Sequence, residues 1–106
     1  KIPLSEAEKA LADTRNRYTI KLVEYTSGRD EDLAWNTLNY LETLGLPAAA
    51  LYKGQRMFIV LGAASRQADL DELLKRAKTM DGPPPRNREA EFSDAYVEKI
   101  DNLYER

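Results

Sequence analysis

The chain has no cysteine and no histidine. Without cysteine there are no disulfides, thiolate metal sites or thiol nucleophiles. Without histidine the usual general base and the commonest metal ligand are gone, which excludes Ser–His–Asp triads, HExxH zinc sites and HxE deaminase sites. An excess of one charge is missing too. Sixteen basic residues face 18 acidic ones for a net charge of −2, and from Tyr18 to Met80 the two signs balance. Such a surface has no global field to capture phosphate backbones or anionic lipid, so nucleic acid is not expected as a partner. No apolar run approaches the roughly 20 residues of a membrane span, and no signal-peptide apolar stretch is present. The sequence begins at Lys1 rather than Met, so the chain is expected to be a processed form or a piece of a longer protein.

What remains is 106 residues, 42% hydrophobic and 32% charged. That suits one small α/β domain burying roughly two thirds of its unfolded surface in a single core without staples. Residues 1 to 17 read as a short polar helical extension, because Ser5 and Glu8 form an S-x-x-E capping box ahead of Ala7, Ala10 and Leu11. Tyr18 to Tyr25 is β-branched and aromatic, and alternation sets Tyr18, Ile20 and Leu22 on one face of a first strand. A helix follows: Asp30, Glu31 and Asp32 favour its N-terminus, Ala34, Leu38 and Leu41 form its stripe, and Gly45 and Pro47 end it.

Ala48 to Tyr52 is a weaker second strand. Lys53 and Gly54 form a turn, and Gln55 to Leu61 returns as a third strand, apolar enough to be buried on both faces. Leu70, Leu73, Leu74 and Ala77 mark a second core helix starting at Ser65 or Asp69. Asp81-Gly82 and three prolines end it and open residues 81 to 106, a Pro-rich linker and C-terminal docking extension. There Phe92, Ala95 or Tyr96, Ile100 and Leu103 are spaced like a helix stripe.

The order β-α-β-β-α over residues 18 to 80 is that of a ferredoxin-like split β-α-β domain, α+β, with its fourth strand weak or missing. Both helices should lie on one sheet face, with strands in spatial order 1-3-2. Strand one is then an open edge, to be covered by the chain's own extension or by a second copy as a homo-oligomer.

These residues resemble the SPOR (sporulation-related repeat) domains of bacterial cell-envelope proteins, over about Tyr18 to Met80. The first strand Ile20-Lys21-Leu22-Val23-Glu24-Tyr25 is similar to the family's V-Q-V-G-x-F, and Ala34, Leu38, Leu41 and Gly45 fit its A-x3-L-x2-L-x3-G helix. Met57 to Ala64 resembles Y-R-V-x-V-G-P-F, and Ser65-Arg66-Gln67-Ala68 resembles the S-R-x-E-A helix start. Lys21 stands at the family's polar Gln, Val23 at its strand Gly, and Ala63-Ala64 at its Pro-Phe. The resemblance implies a non-enzymatic module of the periplasm or cell envelope. It would bind peptidoglycan glycan strands on the sheet face opposite the helices, with no cofactor.

On that face, alternation places Lys21, Val23, Tyr25, Phe58 and Val60. An apolar patch of this kind calls for a cover. It can be roofed by the N-terminal helix or the Phe92 to Tyr104 segment, shared with a second copy, or used as a glycan platform; exposure statistics favour the roof. In the glycan case Tyr25 and Phe58 would stack on sugar rings while Lys21, Gln55 and Arg56 donate hydrogen bonds. The alternative is a structural or oligomerisation domain whose covering layer has replaced the ligand surface. Trp35, about 100° around the helix from Ala34, is expected to flank the core or meet the extension rather than a ligand, the acidic triplet compensates a helix dipole, and no GxGxxG or P-loop spacing supports nucleotide binding.

Overall fold

The computed structural model describes residues 5 to 104. Helix α1 (Glu6–Ala12) begins at the expected capping box: the Ser5 hydroxyl accepts from the Glu8 amide at 3.1 Å and Glu8 Oε1 accepts from the Ser5 amide at 3.0 Å. Strand β1 (Tyr18–Thr26) leads through a tight turn into α2 (Glu31–Thr43). Strands β2 (Ala48–Lys53) and β3 (Arg56–Ala64) form a hairpin. A 3₁₀ turn (Gln67–Leu70), helix α3 (Asp71–Thr79), strand β4 (Tyr96–Lys99) and a second 3₁₀ turn (Ile100–Asn102) complete the chain.

The sheet has four strands in the order β2-β3-β1-β4, each antiparallel to its neighbour. This is the ferredoxin-like α+β arrangement. The extension supplies the fourth strand that the sequence left weak or missing, and a helix does not form there. Phe92 and Ala95 are buried with the helix side of the sheet, whereas Ile100 and Leu103 are buried with the other side. Two apolar pairs bound for two different layers imitate a single helical stripe. Because β4 pairs with Tyr18 to Lys21, that stretch of strand one is not an edge open to a second copy.

Helices α2 and α3 share one face. Ala34, Leu38 and Leu41 from α2 and Leu70 and Ala77 around α3 pack on Ile20, Leu22, Ile59 and Leu61. The opposite face is also roofed: Leu11 of α1 and Ile100 and Leu103 of the C-terminal turn bury Ala49, Leu51, Phe58 and Val60. Strand β3 is thus covered on both sides, as its unbroken apolar run requires.

Strand β1 departs from simple alternation. Its register with β3 shifts between Tyr18 and Ile20 and again between Lys21 and Val23. The second irregularity adds a residue to one strand and reverses parity beyond it. Val23 and Tyr25 therefore pack with the helix-side core, and Glu24, paired with Phe58, takes the face alternation gave to them.

Gly62 fits where no other residue does without strain. Its φ is +68°, and a Cβ there would lie 3.0 Å from Leu73 Cδ2 and 3.2 Å from Leu70 Cδ2. Gly62→Ala is expected to cost about 1–3 kcal/mol from backbone strain and overpacking. Denaturant unfolding checks this; a loss below about 0.5 kcal/mol, typical of an unconstrained surface site, would contradict it.

Candidate functional site

Outside the roof, the helix-distal face carries a polar strip. Arg56 makes a two-pronged contact with the carboxylate of Glu24, Nε to Oε2 at 3.0 Å and Nη2 to Oε1 at 2.9 Å. Lys21 Nζ reaches Glu24 Oε1 at 3.5 Å. Both cations lie over aromatic rings: Arg56 Cζ is 4.9 Å from the centre of Phe58, and Lys21 Nζ is 5.3 Å from Phe58 and 5.5 Å from Tyr96. The carboxylate offsets the repulsion between two cations that their attraction to the Phe58 ring brings together.

The five residues singled out from the sequence separate accordingly. Lys21, Arg56 and Phe58 come together, and exposed Gln55 sits next to Arg56 in the β2–β3 turn. Phe58 is only 1% exposed, so its ring is a core element with cations above it and has no free surface for a sugar. Tyr25 lies on the helix side. The Thr37 hydroxyl donates to the Leu33 carbonyl at 3.0 Å, so the Tyr25 hydroxyl is the donor in its 2.9 Å contact with Thr37 Oγ1. Tyr25 and Phe58 therefore cannot form one stacking platform. The bulge in β1 hid this from a reading based on alternation.

Sequence reasoning missed Glu24, Tyr96 and the charged loop before β4. Pairing with β4 stops at Lys21, and beyond it β1 borders a groove of about 420 Å³ whose far wall is the loop carrying Arg86, Arg88 and Asp94. Val23, Tyr25 and Phe92 line it as well, from the helix side of the sheet, and Tyr96, 44% exposed, stands at its rim. The loop is fastened to α2: Asn36 Nδ2 donates to the Pro84 carbonyl at 3.0 Å and the Tyr40 hydroxyl to the Asp81 carbonyl at 2.9 Å. Tyr96 read as one of a helical stripe, so no sequence signal marked it as a surface aromatic beside Lys21.

Hydrogen bonding from Arg56 holds the Glu24 carboxyl below its ordinary value; partial burial opposes the shift, and Lys21 adds to it. A carboxyl depressed in the folded state contributes stability above its unfolded pKa, and that stability is lost as pH falls through the folded value. The stability difference between wild type and Glu24→Gln should therefore be largest near neutrality and shrink below the ordinary glutamate range. Urea titrations across pH measure it, and a difference independent of pH would contradict the assigned role.

Among the described residues no group of three or more His, Cys, Asp or Glu is placed to hold a metal ion, and no helix is long and apolar enough to cross a membrane. No family model matches the chain, and no curated protein matches it. Among solved structures it is similar to the peptidoglycan binding domain of the B. subtilis cell wall lytic enzyme CwlC, known from a solution structure. The TM-score is 0.56 at 21% identity, covering 93% of this chain and 96% of that one. At this level of identity the likeness establishes a shared fold, the α+β sheet with its helices on one side.

Proposed function

We propose that the chain is a non-enzymatic, SPOR-like binding module of a bacterial envelope protein that holds glycan strands of peptidoglycan in the groove beside β1 and β4. The observation that carries this reading is the uncovered strip itself: Lys21, Glu24, Arg56 and a half-exposed Tyr96 beside a groove of about 420 Å³. Three basic groups (Lys21, Arg86, Arg88) and three acidic ones (Glu24, Glu91, Asp94) line it. Equal numbers of donors and acceptors without net charge suit a ligand rich in hydroxyl and amide groups better than an anion. Tyr96 takes the stacking role that Tyr25 and Phe58 cannot fill, while Lys21, Gln55 and Arg56 remain the proposed hydrogen-bond donors. The peptidoglycan binding named for the structural neighbour supports the ligand class, and with it a place in the cell envelope.

A second reading has its own support. Phe58 and Val60 are 1% and 0% exposed beneath the chain's own ends, as in a domain whose covering layer has replaced a ligand surface. Cosedimentation with purified peptidoglycan separates the two. The binding module predicts retention, weakened about fivefold by Tyr96→Ala and further by Arg88→Ala, both at exposed positions. No retention of the folded wild type would leave the structural reading in its place.

A further inference from the structure

Strand β2 is the outer strand of the sheet on the side away from the groove. Edges of this kind are ordinarily blunted by proline, charge, a bulge or short length. From Ala48 to Tyr52 this edge has no proline and no charge, and its register with β3 is unbroken over six residues. Two cavities border it. One, of about 240 Å³, is bordered by Glu8 of α1 and by Trp35, Leu38 and Glu42 of α2; the other, of about 320 Å³, by Leu11, Ala12, Leu51 and Tyr104; Tyr52 lines both. Trp35 and Tyr52 are 42% and 43% exposed there.

We infer that β2 pairs antiparallel with β2 of a second copy of this chain. A two-fold axis perpendicular to the sheet keeps both helical layers on the same side, so residues directly opposite must share a face. Ala48 and Ala50 face the helices, as does Tyr52, the partner of buried Met57; Ala49 and Leu51 face the roof. Centring the pair on Ala50 sets Ala48 opposite Tyr52, Ala49 opposite Leu51, and Ala50 opposite itself. Each large side chain meets an alanine, and Tyr52 enters the cavity beside Trp35 and Leu38 of the second copy. A same-face register centred on Leu51 instead sets Leu51 against itself, two large side chains directly opposed, and Lys53 against Ala49. Charge agrees with the first register. Lys53 ends the strand on the roof face, where its Nζ donates to the Asn102 carbonyl at 3.4 Å, and Glu8 of the roof helix α1 lines the cavity that borders Ala48 and Ala49. Antiparallel pairing brings each Lys53 toward Glu8 of the other copy on that same face. The result is a continuous eight-stranded sheet with both β1–β4 grooves at its outer edges.

Sedimentation equilibrium from about 1 μM to about 1 mM, a span that covers weak association, tests this. The mass should rise with concentration from 12.1 kDa toward twice that value. Tyr52→Lys should abolish the rise. Lys53→Glu should weaken association about three- to tenfold, as two rim ion pairs per dimer imply, and Glu8→Gln, which keeps the capping box, should weaken it as well. Tyr96→Ala, on the opposite edge, should leave it unchanged. Circular dichroism confirms the fold of each variant, and the Lys53 and Glu8 exchanges at exposed positions decide even where Tyr52→Lys does not fold. A mass of 12.1 kDa at every concentration, or a dimer indifferent to Lys53→Glu or lost with Tyr96→Ala, would overturn the inference.

Discussion

Phe58→Ala is expected to lower the free energy of unfolding by about 3–5 kcal/mol, the cost of deleting a fully buried aromatic ring. The ring is packed with Leu11, Ile100 and Leu103 and lies beneath Arg56 and Lys21. Removing it forfeits the transfer of the ring from water, leaves a cavity that neither β3 nor the roof can collapse to fill, and strips two cations of the surface they cover. For a domain of this size that is a fall in Tm of roughly 12 °C or more. Thermal and urea unfolding measure it. A ring serving as an open ligand platform would instead cost less than about 1 kcal/mol on removal, the usual cost at a surface position. Loss of binding in this variant is therefore no evidence of a contact with ligand.

The second large effect is expected at the other end of the roof. Ile100→Ala should cost about 2–5 kcal/mol, as for other buried aliphatic truncations. Ile100 is fully buried, and its amide donates to the Arg17 carbonyl at 2.8 Å. That bond ties the C-terminal turn to the segment entering β1, so the side chain lost is one the backbone holds in place. A loosely docked tail would be nearly indifferent, below about 0.5 kcal/mol, and unfolding of the variant distinguishes the two outcomes. With Leu103 and Tyr104, Ile100 also helps bury the helix-distal face on which Phe58 lies.

Much of this architecture is written in local patterns. The capping box at Ser5 and Glu8, the stripe of Ala34, Leu38 and Leu41, the turn at Gly54 and the doubly buried run from Met57 to Leu61 each follow from a spacing that one element satisfies by itself. The excess of apolar residues on both sides of β3 announced that something must roof the second face. Features set by two segments at once were not legible. The shift in β1 at Lys21 to Val23 depends on its pairing with β3, and it moved Tyr25 off the face that carries Phe58 and put Glu24 there. Strand β4 is four residues long and gains its identity only from the edge of β1, so its apolar flanks passed for a helix. The groove exists because β4 stops at Lys21 while the loop beyond Pro85 stands off from β1, a relation between distant segments that no local spacing encodes.

The proposed glycan site is the strip beside β1 and β4, where basic, acidic and aromatic side chains meet at the rim of a groove. Amide chemical-shift mapping with soluble glycan fragments of peptidoglycan tests this most directly. Shifts confined to Lys21–Tyr25, Arg86–Asp94, Tyr96 and the Gln55–Arg56 turn are the expected result. Shifts centred on Leu51, Val60 and Leu103 would mean that the roof lifts to admit the ligand, and would contradict it.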